Sequence, residues 1–362
     1  MSRSPNDSVP ELRVLAWEVT RACNLACRHC RASAQTEPFP GELSTAEALR
    51  LIDEIAKVDS PILIFSGGEP LLRSDIYQLV ERARENGLRC AMAPNGTLLD
   101  AESARRLAEC GIERVSISID APDAAGHNAF RGVEGAFEAS MRGVEHLLRV
   151  GLPFQINTTV TKSNLSVFGE IHDLARDLGA AAWHIFLLVP TGRGSEISEE
   201  IISSEEYERI LNWFYDFSRT SSMQLKATCA PQYHRILRQR AKQEGIAVSR
   251  ANFGLDAVSR GCLGGNGFCF ISHSGQVQPC GYLELDCGQV REEPFPEIWR
   301  NSARFRELRD PSLYRGKCGV CEYERVCGGC RARAYTMNGD YLGEEPLCAY
   351  QPRNWRGNGH NG

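Results

Sequence analysis

The chain has 362 residues, 42% hydrophobic and 24% charged, the make-up of an ordinary globular protein with room for about two domains. Its 41 Lys and Arg against 46 Asp and Glu give a net charge of −5, so there is no basic excess to neutralise phosphates and no nucleic-acid partner is expected. No apolar run approaches the roughly 20 residues of a membrane helix, and MSRSPNDSVP lacks a signal-peptide apolar segment, so a cytoplasmic protein without a membrane partner is expected.

After a short tail over 1–10, the pattern predicts a first strand over 12–19 that runs into the loop TRACNLACRHCRA. Cys23, Cys27 and Cys30 in that loop present three thiols with no fourth nearby. Four thiolates close a metal site, whereas three leave one iron of a cubane cluster free to hold something else. Taken alone, three such cysteines also suit half a zinc site. A helix follows over 44–57, with Ser44 and Glu47 spaced as a capping box. The second strand, 61–66, ends in Ser66-Gly67-Gly68-Glu69-Pro70. Two glycines there would let backbone approach a ligand closely, and the carboxylate could accept hydrogen bonds from an ammonium group. By itself this is a common turn.

Further strands are predicted over 88–93, 113–119, 153–160 and 182–189, with helices over 73–86, 100–110, 135–149, 164–178 and 203–218. Strand and helix alternating at this rhythm imply βαβ units and a parallel sheet. Six units are too few for a closed eight-stranded barrel, so an α/β fold with an open, partial barrel is expected over 11–220, its ligand sites at the carboxyl ends of the strands. From 221 to 351 the chain is rich in Cys and Gly with few periodic segments, and its fold is expected to be organised by metal as much as by apolar burial. A disordered tail is expected over 352–362.

The chain carries 15 cysteines, which in a reducing compartment suggest metal ligands or catalytic groups more than disulfides. Nine lie between Cys262 and Cys348, while Cys90, Cys110 and Cys229 are scattered. Cys90 and Cys110 sit in apolar periodic stretches and read as core thiols.

Together, Cys23-x3-Cys27-x2-Cys30 and the later Gly-Gly-Glu-Pro resemble the radical S-adenosylmethionine (radical SAM) enzymes. The resemblance implies a TIM-like partial (β/α)6 barrel and a 4Fe–4S cluster on Cys23, Cys27 and Cys30, one iron of which chelates SAM. Reductive cleavage of SAM, consumed as a co-substrate, would release a 5′-deoxyadenosyl radical that abstracts hydrogen from substrate. Gly67, Gly68, Glu69 and Pro70 would hold the methionine moiety, Ser118 and Asp120 the ribose, and Arg131 the SAM carboxylate, with Asn157 and Thr159 as further contacts. For Ser118, Asp120, Arg131, Asn157 and Thr159 a capping or sheet-end polar role is the alternative.

Cys262-x12-Gly275-x4-Cys280, then Cys318-x2-Cys321-x5-Cys327-x2-Cys330 and Cys348, resemble the SPASM (twitch-type) extension of these enzymes, which houses one or two auxiliary 4Fe–4S clusters, two being favoured here. By that analogy Cys262, Cys269, Cys280 and Cys330 would hold one cluster and Cys318, Cys321, Cys327 and Cys348 the other. The last pair is separated by two residues where the family usually has three, and Cys287 has no assigned role. A pair of zinc ribbons is the alternative.

VPELRVLAWEVTRACNLACRHCRA, AAWHIFLLVPTGRG, GFCFISHSGQVQPCGYLELDCG and RVCGGCRARAY resemble, more closely still, the heme b synthases of the siroheme-dependent route. That resemblance implies an anaerobic oxidoreductase that oxidatively decarboxylates two propionates of iron-coproporphyrin III to vinyl groups, with a flavodoxin- or ferredoxin-like electron donor. Abstraction of a β-hydrogen atom leaves a carbon radical; loss of carbon dioxide then requires one electron to leave, and an auxiliary cluster would be its acceptor. The alternatives are a didecarboxysiroheme deacetylase of the same architecture and a peptide- or sulfatase-maturing SPASM enzyme. A flat, anionic tetrapyrrole calls for apolar faces and cationic clamps. Arg193 is the foremost clamp candidate, His184 a candidate ligand of the heme iron, and Lys226 and His29 are weaker candidates. A solvated arginine and a satisfied strand histidine are the plain alternatives.

Overall fold

In a computed structural model that describes residues 9–355, β1 (Val14–Glu18) lies between β2 (Ile62–Ser66) and β8 (Phe268–Ile271) and runs parallel to both. The parallel ladder continues through β3 (Arg89–Met92), β4 (Ile112–Ser118), β5 (Phe154–Val160), β6 (Ala182–Leu187) and β7 (Gln224–Thr228). Two short antiparallel strands, β9 (Gln276–Gln278) and β10 (Gly288–Gln289), finish the other edge, giving the order β10-β9-β8-β1-β2-β3-β4-β5-β6-β7. Residues 1–8 and 356–362 of the expected tails lie outside the described residues.

Alternation along each strand divides the sheet into two faces. Leu15 and Trp17 on β1, Leu63 and Phe65 on β2, and Trp183 and Ile185 on β6 are fully buried in one apolar core. The helices α1 (Thr45–Ile55), α2 (Ile76–Glu85), α3 (Ala101–Cys110), α4 (Ala124–Arg131), α5 (Ala136–Arg149), α6 (Phe168–Asp177) and α7 (Ser204–Thr220) link the strands. The α1 start carries the capping box read from the sequence: Ser44 accepts from the Glu47 amide and Glu47 accepts from the Ser44 amide. Cys90 and Cys110 are core thiols, as expected.

The sheet does not end at the sixth strand, and residue 220 is not its limit. β7 was missed because QLKAT is short, polar and only half-buried. β8 was missed because its partner in the sheet is the first strand of the chain. α4 was missed because AAGHNAFR is short and shows no long apolar stripe. The C-terminal segment therefore adds a parallel strand to the barrel sheet as well as forming a cysteine-rich lobe.

Candidate active site and cysteine-rich lobe

β1 delivers the chain to the cysteine loop at the carboxyl edge of the sheet, and surrounding backbone fixes it there. The Cys23 amide donates to Gln35 O at 2.7 Å, and the Ala26 and Arg28 amides donate to the last carbonyls of α4, at Arg131 and Phe130. From the other side Arg193 donates through Nε to Cys27 O at 2.9 Å and through Nη1 to Ala34 O at 2.6 Å. Arg193 was expected to clamp a propionate. Two of its guanidinium nitrogens brace the loop, because loop carbonyls left without strand partners need donors, and its Nη2 is buried with no hydrogen-bond partner among the described residues.

Each thiol faces an N–H group. Leu25 N lies 3.4 Å from Cys23 Sγ, Ala34 N 3.4 Å from Cys30 Sγ, and Arg131 Nη1 3.7 Å from Cys27 Sγ. Burial pushes the Cys23 thiol up to about 11 and raises that of Cys27, so bare thiolates would be costly there. Among the described residues no three Cys, His, Asp or Glu side chains converge closely enough for a single metal ion. The fit to an iron–sulfur cluster therefore rests on the donor set: three inward thiols, each beside an N–H that can share sulfur charge, with no fourth protein thiol.

Gly67 and Gly68 approach the chain's own backbone closely. The Gly68 amide donates to Thr20 O and the Glu69 amide to Ala22 O, both at 2.8 Å. A Cβ on Gly68 would stand 2.3 Å from Ala22 O. These glycines bring the strand end against the backbone that leads into Cys23. Pro70 opens the short turn that follows. Glu69 is fully buried, accepting from Leu71 N at 3.0 Å and Asn95 N at 2.7 Å. Burial pushes its carboxyl up to about 7 against those two hydrogen bonds. Asn95 also reaches Asn24 at 2.8 Å and faces Cys23 Sγ at 3.8 Å. It went unread in the sequence; the Pro-Asn-Gly turn just after β3 was its signal.

On β4 to β7 four candidate residues share one row. Ser118 is in register with Asn157, Asn157 with His184, and His184 with Lys226. Since register neighbours share a face, these side chains line the barrel interior together. Burial holds His184 down to about 3, with Lys226 adding to it, so its ring is neutral; Nδ1 lies 3.0 Å from Gln155 Nε2. His29 is half-buried, also neutral because desolvation lowers its pKa, and stacked on Phe130 at 4.4 Å. Asp120 accepts from Thr159 N at 2.7 Å and pairs with Arg131. Arg131 thus joins Cys27 to Asp120 rather than standing free.

Cys318, Cys321, Cys327 and Cys348 line a single cavity with Arg235, Lys317 and Glu345. Arg331 Nη2 lies 3.3 Å and Glu345 N 3.4 Å from Cys318 Sγ. Gly328 and Gly329, at φ +75° and +61°, form a left-handed turn open to glycine without strain. That turn sends Cys327 into this cavity and Cys330 into a neighbouring apolar cluster, so two intervening residues suffice.

The neighbouring cluster holds Cys330 and Cys280 but not Cys269. Cys269 lies on β8 opposite Leu15, fully buried in the barrel core together with Cys287. It was expected beside Cys262, Cys280 and Cys330; here strand alternation turns its side chain to the opposite face from Phe270, and Phe270 is the residue stacked beneath Arg31 beside Gly281.

The Radical SAM superfamily profile matches residues 17–175, and that of an iron–sulfur cluster-binding domain, SPASM, matches 262–331. The chain belongs to the radical SAM superfamily, in the branch that carries this second domain. It is 62% identical to a Nitratidesulfovibrio vulgaris protein named AdoMet-dependent heme synthase, over 97% of this chain and 96% of that one. A Methanosarcina barkeri protein of the same name is 53% identical over 94% and 97%, and that organism's Fe-coproporphyrin III synthase is 32% identical over 92% and 87%. Among solved structures, Streptococcus suis SuiB bound to S-adenosylmethionine shares the fold at TM-score 0.72 and 16% identity, covering 94% of this chain and 78% of that one. The chain is an enzyme that uses SAM and 4Fe–4S chemistry. Among the described residues no helix is long and apolar enough to cross a membrane.

Proposed function

We propose that this enzyme oxidatively decarboxylates two propionates of iron-coproporphyrin III to vinyl groups, forming heme b and consuming one SAM per propionate. The observation that carries this reading is the 62% identity, over 97% of the chain, to a protein named as an AdoMet-dependent heme synthase. The stretch so matched includes both cysteine regions. Bound iron–sulfur clusters would supply single-electron transfer, to SAM at the barrel mouth and from substrate at the C-terminal lobe.

The chain's own residues then have distinct tasks. Cys23, Cys27 and Cys30 hold a cluster and leave one corner for SAM. Gly67, Gly68 and Glu69 form the wall beside that corner, and the remaining lone pairs of the Glu69 carboxylate suit an ammonium group. Ser118, Asn157, His184 and Lys226 give the barrel interior a polar row for hydroxyls and carboxylates, with Lys226 as its cation. Asp120 and Arg131, as a buried pair, hold Cys27 and the β5 end in place. Two auxiliary clusters and a flavodoxin- or ferredoxin-like donor complete the reading.

Mass spectrometry after anaerobic incubation with iron-coproporphyrin III, SAM and reductant tests it. Two successive losses of one carboxyl group plus one hydrogen are expected, with 5′-deoxyadenosine formed alongside. An unchanged porphyrin under conditions that cleave SAM overturns the substrate assignment.

A further inference from the structure

β7 ends at Thr228, and the next residue, Cys229, stands at the carboxyl mouth of the sheet. Its backbone adopts φ +55°, uncommon for a residue with a Cβ. That conformation is held from outside. The Tyr207 hydroxyl donates to Cys229 O at 2.7 Å, and Arg333 donates to the same oxygen through both amino groups, at 2.5 and 3.1 Å. Arg333 is fully buried, pairs with Glu345 at 3.4 Å and lies three residues beyond Cys330. The strained residue is thus tied to the segment that carries Cys330.

Cys229 packs in the same apolar cluster as Cys280 and Cys330. Cys262 reaches that place by backbone: its amide donates to Cys327 O at 3.1 Å and the Gly261 amide to Val326 O at 2.8 Å, directly before the turn into Cys330. A four-iron cluster on Cys262, Cys280 and Cys330 would lack a fourth thiolate if Cys269 stays in the core. A cysteine held in a costly backbone conformation beside that vacancy needs a reason, and metal ligation supplies one.

We propose that Cys229, and not Cys269, is the fourth ligand of the auxiliary cluster held by Cys262, Cys280 and Cys330. This deepens the two-cluster reading of the C-terminal lobe and rests on it. The last strand of the barrel then carries a ligand at its carboxyl end, as the first strand leads into Cys23, so both metal sites open on one mouth.

The test compares anaerobically reconstituted parent, Cys229→Ala, Cys229→Ser, Cys269→Ala and Cys262→Ala by iron and sulfide content and by EPR after reduction without SAM. Cys229→Ala and Cys262→Ala are expected to lose the same EPR component and about four irons per chain, one cluster's worth. Cys229→Ser, nearly isosteric and so safe for packing, is expected to shift that component. Cys269→Ala is expected to match the parent. A Cys229→Ser or Cys229→Ala spectrum identical to the parent while Cys262→Ala has lost its component overturns the ligand assignment alone, as does loss of that component in Cys269→Ala with the Cys229 variants unaffected. If Cys262→Ala is itself silent, the two-cluster reading falls and the assignment falls with it.

Discussion

Cys23, Cys27 and Cys30 sit on a loop braced by regular structure, between β1, the end of α4 and the strand end at Gly68. Cys318, Cys321, Cys327 and Cys348 come instead from a lobe of short helices and turns, where side chains such as Arg331 and Lys317 reach into the gaps between segments. The first set packs with Leu25, Ala32, Ala34 and Ala136 and could keep its shape without metal, because the strands that deliver it, β1 and β2, belong to an apolar core that includes Trp17, Phe65 and Trp183. Burial of side chains that large contributes about 1.5–3 kcal/mol apiece. The second set has few such neighbours and two fully buried arginines, Arg331 and Arg333. Buried guanidinium groups hold geometry well but give little net stability, since desolvation offsets most of their pairing. A metal that is added to the barrel loop fills a prepared seat, whereas in the lobe it takes the place of a core.

The most forceful way to break that comparison is to remove the iron. Chelation of the reconstituted protein should raise amide exchange over 311–348 by about a hundredfold or more, while β2 to β5 change by less than about tenfold, because metal binding in such lobes is folding free energy. Hydrogen exchange with peptide-level mass spectrometry reads both regions in one sample. Equal loosening of barrel and lobe would remove the distinction.

A smaller effect is expected where the two regions meet. Arg31, next to Cys30, lies 4.5 Å over the Phe270 ring, donates to Gly281 O and pairs with Glu18 at 3.1 Å. Burial pushes the fully buried Glu18 carboxyl up, yet Arg31, His273 and Arg21 more than offset it and hold it at about 2. Arg31→Met keeps most of the packing but leaves that carboxylate short of its main partner. The expected cost is about 3–5 kcal/mol, the penalty for breaking a buried pair from one side. Urea unfolding followed by barrel tryptophan fluorescence measures it; a loss under about 1 kcal/mol would mean that the regions are joined elsewhere.

How much of this was legible in the sequence follows the same divide. The barrel was legible because its strands alternate and its helices carry caps: Ser44 with Glu47 marked the start of α1, and PILIFS marked β2. The three-cysteine loop was legible by spacing. What stayed hidden were contacts distant along the chain. Nothing in QLKAT announces a strand, and nothing local to Cys229 or Cys269 says which of them faces Cys262. The backbone contacts of Gly68 and Arg193 stayed hidden for a related reason: each meets backbone of the cysteine loop, and a sequence does not show which backbone will pass close by. Asn95 belongs with these, since its turn was visible and its partners were not.

The smallest expected effect concerns a second tie between lobe and barrel, at the surface. Arg291 donates to Glu47 at 2.7 and 3.2 Å, and to Gly41 O, Glu42 O and Ser274 O. The Arg291 hydrogen bond, followed by those from the Ser44 amide and hydroxyl, holds the Glu47 carboxyl at about 2, below the ordinary value near 4.5. A carboxyl whose value is depressed on folding stabilises the native state fully above its unfolded value, and that contribution is lost as the pH falls from about 4.5 through about 2. Both partners are partly exposed, so solvent screens the pair and Arg291→Ala should cost no more than about 1 kcal/mol at pH 7. The gap between parent and variant should narrow as the pH drops from 5 to 3, and it should shrink with added salt. Thermal midpoints across that range check the sign. A gap that stayed constant in acid would mean that Arg291 acts through the Gly41, Glu42 and Ser274 carbonyls, which do not titrate, and that the lobe is pinned at this edge by backbone and not by charge.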